Sequence, residues 1–387
     1  MRVALVHDYI SEFGGAERVL LALSEIWPDA PIYTAFYKNG RTLEMLKGKD
    51  VRPSWVQNIP GFSTKLHSPL RILAPLIWRS FDFRDYDVVI SSASWYVTKG
   101  FGQRGHTSPK ATLGTTGKPV EFCYCHTPPR YLYGYHTSVT PNWLTKIYSS
   151  VVNPFMRKYD FESAQKVDYF IANSEEVKNR IKRFYNRDAK VIYPPVEVSR
   201  VSQAPRVSRE YYLTVARVVG GKGLELAVET ANKYGFPLKV VGGPSGFSKL
   251  LESLKQKAGK NVEFLGFVDD DRLEDLYFGA KAFLALSRDE DFGITPVEAM
   301  LAGTPVVAFN GGGYKETVIE GKTGIFFDDY TTEGLYNAIQ KLGKTKIKPQ
   351  DCKKQGEKFS RERFKREIKE YVESVHSQRS QGSSQKH

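Results

Sequence analysis

The sequence predicts an α/β protein built from two parallel-sheet halves. Short apolar runs alternate with amphipathic helical patterns from one end of the chain to the other, as βαβ units do. The alternation breaks once, at Pro194-Pro195 and the polar, proline-containing stretch Val196–Arg209, and then restarts. The length of 387 residues gives each half enough chain for its own core.

In the first half, strands are expected at Val3–Val6, Ile32–Ala35, Val88–Ser91, Val120–Tyr124, Tyr169–Ala172 and Val191–Tyr193. Each is a short run of β-branched, aromatic or small apolar residues, too brief for a helix. Helical periodicity runs through Ala16–Ile26, Trp143–Gln165 and Glu175–Phe184. In the second half, strands are expected at Tyr212–Ala216, Leu238–Val241, Val262–Leu265, Phe283–Leu286, Val306–Ala308 and Gly324–Phe327, with helices between them. Gly102–Lys118, rich in Gly, Thr, Lys and Arg, reads as a mobile loop. A charged helix covers roughly 355–376, and the polar tail from Ser377 reads as disordered. Two such halves place ligands outside the carboxyl ends of their strands.

Net charge is +13, which favours anionic partners. The excess is local: residues 51–150 hold 11 Lys/Arg against 4 Asp/Glu, whereas residues 201–387 hold 29 against 25. No basic stripe interleaved with aromatics supports nucleic-acid binding. Ser68–Arg79 mixes apolar residues with two arginines, as a buried amphipathic helix or a face docking on an anionic membrane would. Cys123, Cys125 and Cys352 form no disulfide or zinc pattern and read as thiols of a reducing compartment. With no signal-peptide core and no apolar stretch near membrane-spanning length, the expected location is cytoplasmic, peripheral on the membrane at most.

The strongest functional signal is Ser287-Arg-Asp-Glu290-Asp-Phe292-Gly293-Ile294-Thr295-Pro296-Val-Glu298, running on to Gly303-Thr-Pro305. Glu290 falls on a strand-to-helix loop and Glu298 in the first turns of the helix, with Pro296 near N1 and Gly303 at C′. Gly293 lets backbone approach a ligand, and the N–H groups of Ile294 and Thr295 form an anion site at a helix N-terminus. Such a loop suits a phosphate carrying a polyhydroxyl group.

Other segments add to it. His7-Asp8-Tyr9 leads into Phe13-Gly14-Gly15-Ala16-Glu17-Arg18-Val19, a glycine turn before a helix without the G-x-G-x-x-G pattern, which reads as phosphate-cradling or purely structural. Arg217 and Lys222 flank a glycine turn at a strand's carboxyl end and suit a pyrophosphate without a metal. Asp269-Asp270-Asp271 opens a helix and reads as an N-cap with a possible base contact, not a metal clamp. His126, in Cys125-His126-Thr-Pro-Pro-Arg130-Tyr131, emerges at a strand's carboxyl end and so on the ligand side.

Taken together, these pieces resemble the retaining glycosyltransferases of family 4, which have the GT-B fold, and especially their mannosyltransferases. The matching residues are Gly14 to Val19, Cys125 to Tyr131, Asn173-Ser174, Arg217 with Lys222-Gly223, and Glu290 through Ala308. The resemblance implies two Rossmann-like domains: 1–195 for the acceptor and 210–354 for the nucleotide-sugar donor. They would be joined by linker 196–209, with 355–376 packing back on the first domain and 377–387 a free tail.

The same resemblance implies that Arg217 and Lys222 hold the donor diphosphate, with backbone contacts from Gly14 and Gly15. Glu298 would bind the ribose. Glu290, Phe292, Gly293, Ile294 and Thr295 would hold the sugar, and His126 would contact it. Val268 and Asp270 lie where guanine-using members contact the base, which makes GDP-mannose the expected donor and a UDP-sugar the alternative. Asp8, Tyr9, Arg130 and Tyr131 would face a saccharide or lipid-linked acceptor. One departure is Tyr133-Gly134, where a Trp-Asp pair often stands. No metal or other cofactor is implied, and the mechanism would be same-face attack with the departing phosphate oxygen taking the acceptor proton. A sugar-nucleotide epimerase, a phosphorylase and a non-catalytic nucleotide-sugar binder are the alternative readings of such a fold.

Overall fold

A computed structural model of the chain describes residues 1–11, 13–102, 119–135, 143–198, 209–243 and 250–384. The chain divides into two compact units: the first takes the described residues of 1–134, 143–195 and 361–384, the second Tyr135 and the described residues of 196–360.

In the first unit the strands are β1 (Val3–His7), β2 (Ile32–Thr34), β3 (Val51–Pro53), β4 (Val88–Ala93), β5 (Val120–Cys125), β6 (Tyr169–Ala172) and β7 (Ala189–Val191). They form one parallel sheet in the order β3-β2-β1-β4-β5-β6-β7. Helices α1 (Gly15–Ile26), α2 (Arg41–Met45), α3 (Ala74–Arg79), α4 (Trp143–Lys166) and α5 (Glu175–Tyr185) connect them. β1, β4 and β5 are buried along their whole length, as parallel strands covered on both faces are.

The second unit repeats the plan with β8 (Tyr211–Val215), β9 (Leu238–Val241), β10 (Val262–Gly266), β11 (Ala280–Ala285), β12 (Val306–Phe309) and β13 (Gly324–Phe327), ordered β10-β9-β8-β11-β12-β13 and parallel. Its helices are α6 (Leu224–Tyr234), α7 (Leu250–Lys257), α8 (Asp270–Gly279), α9 (Ile294–Leu301), α10 (Tyr314–Thr317), α11 (Thr332–Lys344) and α12 (Pro349–Glu357). The strand order reverses beside β1 and beside β8, which opens a switch point between β1 and β4 and another between β8 and β11.

The last helix, α13 (Arg361–Ser384), belongs to the first unit. Phe364, Ile368 and Val372, spaced four apart on one face, are buried in the cluster that holds Leu5, Ile90 and Phe122. The sequence suggested one helix from 355 and a free tail from Ser377. Instead α12 stays in the second unit through buried Cys352, Gln355 and Phe359, and α13 is helical to Ser384. Between them Ser360 pairs with Val196, whose N–H donates to the Phe359 carbonyl at 2.9 Å.

β3 was not foreseen. It is a half-exposed three-residue strand at the sheet edge, where its Pro53 removes no ladder bond a second neighbour needs. The glycine-rich loop, beyond Gly102, lies outside the described residues, as does most of linker 196–209. No helix among the described residues is long and apolar enough to cross a membrane.

Candidate active site

Three βα connections of the second unit converge at the carboxyl ends of β8, β11 and β12. The β8 connection carries Lys222, which stands just before Gly223, the N-cap of α6. The β11 connection carries Glu290 and ends at Gly293, the N-cap of α9. The Lys222 ammonium donates to Glu290 Oε2 at 2.8 Å, and both side chains are mostly buried, at 24% and 18% exposed. The β12 connection wraps Glu290 from the other side. Gly313 N–H donates to the Glu290 carbonyl at 2.9 Å, and the Tyr314 hydroxyl lies 3.5 Å from Oε2.

Glycine is required at these junctions for steric reasons. A Cβ on Gly223 (φ 77°) would meet Leu286 at 2.5 Å, and one on Gly312 (φ 54°) would meet the Glu290 carbonyl at 2.3 Å. A side chain at either position would part Lys222 from Glu290. Burial, and then the neighbouring Glu290 carboxylate, push the Tyr314 phenol well above its ordinary range, so it acts as a neutral donor.

Gly293 takes φ 89° and starts α9 without a side-chain cap. The first amides of α9 therefore face the Glu290 loop as an anion-seeking helix end. Pro296 is the third helical residue rather than the first, still within the first turn, where its missing N–H costs no helical bond. At the other end Gly303 (φ 76°) closes a Schellman turn, with Gly303 N–H bonded to Met300 and Thr304 N–H to Ala299. Glu298 is almost fully buried on α9 and accepts from the Tyr277 hydroxyl at 2.7 Å.

In the aspartate triplet the capping role falls to Asp269, whose Oδ1 accepts from Arg272 N–H at 2.8 Å. Asp270 is thereby the first residue of α8 rather than its cap. Just before it Phe267 is 77% exposed. Arg217 is exposed after β8, where Val218 N–H bonds the Gly243 carbonyl at 2.9 Å.

The first unit places its residues differently from expectation in two cases. Asp8, expected toward an acceptor, turns inward. It accepts from the N–H groups of Ser94, Trp95 and Tyr96 and from the Thr98 hydroxyl, and burial raises its pKa. The glycine turn is also less open than expected, because Gly14 N–H donates to Glu17 Oε2 at 3.0 Å, filling that donor with the helix's own carboxylate.

Tyr9 and Tyr131 are half-buried in an aromatic wall. Tyr9 stacks on Phe36 at 5.1 Å, Trp95 lies 5.5 Å from Tyr131, and Arg71 sits over the Tyr131 ring at 4.9 Å. Arg130 is half-buried at the start of the turn that leads from His126. The His126 ring is half-buried, and burial, then the charge of His7, lower its pKa to about 3. Its carbonyl accepts from Asn173 Nδ2 at 2.9 Å, and Ser174 caps α5.

Residues 13–200 match the family described as Glycosyltransferase Family 4, and residues 196–359 match Glycosyl transferases group 1. The two matches together run from residue 13 to residue 359, and the fold is that of the GT-B glycosyltransferases. Among its relatives is a D-inositol 3-phosphate glycosyltransferase of Rhodococcus opacus, 30% identical over 203 residues, 45% of each chain. Another is the alpha-1,3/1,6-mannosyltransferase of Dictyostelium discoideum, 27% identical over 171 residues, 38% of this chain and 40% of that one. The match thus spans less than half the length of these curated relatives. The solved structure of Anabaena HepE in complex with UDP and glucose superposes with a TM-score of 0.71 at 19% identity, covering 97% of this chain and 100% of that one.

Several residues of the candidate site escaped sequence reasoning. Tyr314 and Gly312-Gly313 have a signal in the glycine run after β12, which was not singled out. Gly242 has one in the Gly-Gly after β9, where a Cβ would lie 1.9 Å from the Ala216 carbonyl. Tyr277, on the face of α8 that meets α9, and Ser92, inside β4, carry no local signal at all. Among the described residues no three His, Cys, Asp or Glu side chains gather as a metal ion would need.

Proposed function

We propose that this chain is a glycosyltransferase that moves mannose from GDP-mannose, with retention of configuration, to a saccharide or lipid-linked acceptor. The observation that carries the reading is the Lys222–Glu290 pair at 2.8 Å, enclosed by glycine backbone and facing the first amides of α9. One cation and a helix end address a diphosphate, and one carboxylate beside them addresses sugar hydroxyls. In this reading Arg217 and Lys222 neutralise the leaving diphosphate without a metal. Glu290 orients the sugar with Phe292, Gly293, Ile294 and Thr295, and Glu298 reaches the ribose. Catalysis then comes from stabilising the leaving group and positioning the acceptor.

Guanine is favoured by two neighbours at the end of β10. Asp270 opens α8 just beyond the end of β10, and a carboxylate there would accept the paired N1–H and N2–H donors of the base. The exposed Phe267 offers a stacking face beside Val268. A UDP-sugar is the second reading, favoured by the UDP held in the similarly folded HepE. Thermal shift decides between them: GDP should stabilise the protein more than UDP at equal concentration. Asp270→Ala and Phe267→Ala should each narrow that gap, and a wild-type preference for UDP would overturn the guanine assignment.

A lipid-linked acceptor is supported by α4, which carries Trp143, Ile147, Val151 and Phe155, each more than half exposed and four residues apart. In segment 68–79, by contrast, Ile77 and Trp78 are buried and Arg71 turns onto Tyr131 and Tyr148, leaving Ile72 and Leu76 outward. We take α4 as the main face for an anionic membrane.

A further inference from the structure

Behind His126 lies a line of polar groups that the proposed reaction does not use. His126 Nε2 is 2.8 Å from the Ser92 hydroxyl, and the same hydroxyl is 3.0 Å from His7 Nδ1. His7 Nε2 in turn faces Glu17 Oε1 at 3.9 Å. His7 and Ser92 are each 1% exposed, so the hydrogens in this line are set by one another rather than by water. Glu17 cannot turn away, because its other oxygen accepts from Gly14 N–H at 3.0 Å.

We propose that Glu17, His7 and Ser92 are positioning residues that fix the tautomer of His126, leaving its Nδ1 without a proton as the acceptor for a sugar hydroxyl. The hydrogens follow from counting donors and acceptors. A lone pair on His7 Nε2 would be repelled by the Glu17 carboxylate, so that nitrogen carries the proton. In the imidazole form with Nε2 protonated, His7 has only a lone pair on Nδ1, and Ser92 gives it its single hydrogen. The Ser92 oxygen is left to accept, and the neighbour able to donate is His126 Nε2–H. His126 is neutral, its pKa held near 3 by burial and then by His7, so a proton on Nε2 leaves Nδ1 bare. Backbone bonds hold the residue in place: its N–H donates to the Ala93 carbonyl at 2.9 Å and its carbonyl accepts from Asn173.

The sugar-hydroxyl part of this inference rests on the glycosyltransferase reading; the tautomer part does not. Long-range proton–nitrogen NMR on the full chain with labelled histidine measures the tautomer directly. The His126 signals are identified by their loss in His126→Gln. In the free protein His126 and His7 should both be protonated at Nε2 and bare at Nδ1.

Ser92→Ala should let His126 populate both tautomers and lower the transfer kcat about tenfold, the loss of one hydrogen bond, with nucleoside-diphosphate affinity unchanged. Glu17→Gln, which keeps an acceptor for Gly14, should weaken the preference while preserving the fold. A nucleotide sugar, but not the nucleoside diphosphate alone, should shift the His126 Nδ1 resonance. His126 protonated at Nδ1 in the free wild type, or a tautomer unmoved in both variants, overturns the relay. A correct tautomer with no response to a bound nucleotide sugar overturns the hydroxyl contact. Absence of transfer with any donor would instead refute the enzymatic reading and leave the relay standing.

Discussion

Replacing Glu290 by glutamine separates the two tasks assigned to the Lys222–Glu290 pair. In the free protein the ammonium is already engaged at 2.8 Å by Glu290 Oε2, so an arriving diphosphate must draw Lys222 away from that carboxylate. A charge-assisted bond of this kind is worth roughly 1.5–3 kcal/mol. With side chains 24% and 18% exposed, solvent screening puts this pair toward the lower end. Glu290→Gln removes the competing charge but keeps an acceptor. Nucleoside-diphosphate affinity should therefore hold, or rise by up to about tenfold, the equivalent of about 1.4 kcal/mol. Transfer should fall by about a hundredfold or more, because the group that orders the sugar is lost.

Lys222→Met should behave in the opposite way. It removes the phosphate contact and weakens diphosphate binding by about tenfold. It also takes the ammonium away from the mostly buried Glu290 carboxylate, which keeps the Tyr314 hydroxyl at 3.5 Å, at a cost of about 1–2 kcal/mol of stability. Isothermal titration of GDP and UDP into both variants and the double variant, with single-turnover transfer alongside, gives all the quantities. If Glu290→Gln loses diphosphate affinity as steeply as Lys222→Met, the division of labour is wrong.

Three further outcomes can be checked. Gly242→Ala, at φ 134° with a Cβ placed 1.9 Å from the Ala216 carbonyl, should destabilise the protein by about 2–4 kcal/mol in urea unfolding, whereas Gly343→Ala, with open space around it, should not. Burial raises the Glu121 pKa from 4.5 to about 7, so this carboxyl contributes stability that is full below pH 4.5 and lost as pH rises through about 7, about 3 kcal/mol in all. Glu121→Gln should remove that slope from the pH dependence of the unfolding midpoint. The chain should float with anionic liposomes at low salt and less at high salt, and Trp143→Glu with Val151→Glu should abolish flotation; equal flotation of the variant refutes the α4 face.

How much of this was legible in the sequence depends on the range of the interaction. Strands Tyr169–Ala172, Leu238–Val241 and Gly324–Phe327 were read at their observed bounds, because an apolar run between polar or glycine neighbours is a local signal. The edge strand β3 was missed since its burial is partial and its one neighbour lies elsewhere in the sequence. The C-terminal helix was read as continuous because the break after α12 comes from the pairing of Ser360 with Val196, far away in the chain. In the candidate site the residue types were legible, but the Lys222–Glu290 contact joins positions 68 apart. Asp8 was placed toward an acceptor by the resemblance, whereas the amides that claim it lie more than 80 residues away.

Those amides explain how the first unit holds the segment after β4. It runs at the switch point beside β1 and is largely buried, so its backbone polar groups need partners that no sheet supplies. Two carboxylates supply them. Asp8 takes the N–H groups of residues 94 to 96 and the Thr98 hydroxyl, while Glu121 takes those of Gly100, Phe101 and Gly102. Between them Lys99 pairs with buried Asp160. In the middle sits Val97 at φ 58°, a conformation a β-branched residue adopts only under constraint, costing about 1–3 kcal/mol. Such strain persists where neighbours over-determine the backbone, and here a carboxylate clamps each side of it. The same clamp fixes Trp95 in the aromatic wall and holds the chain just beyond Ser92, the hydroxyl that orients His126. Rigidity in this segment is therefore imposed by buried carboxyl groups, and it serves the two features of the first unit assigned to ligand recognition.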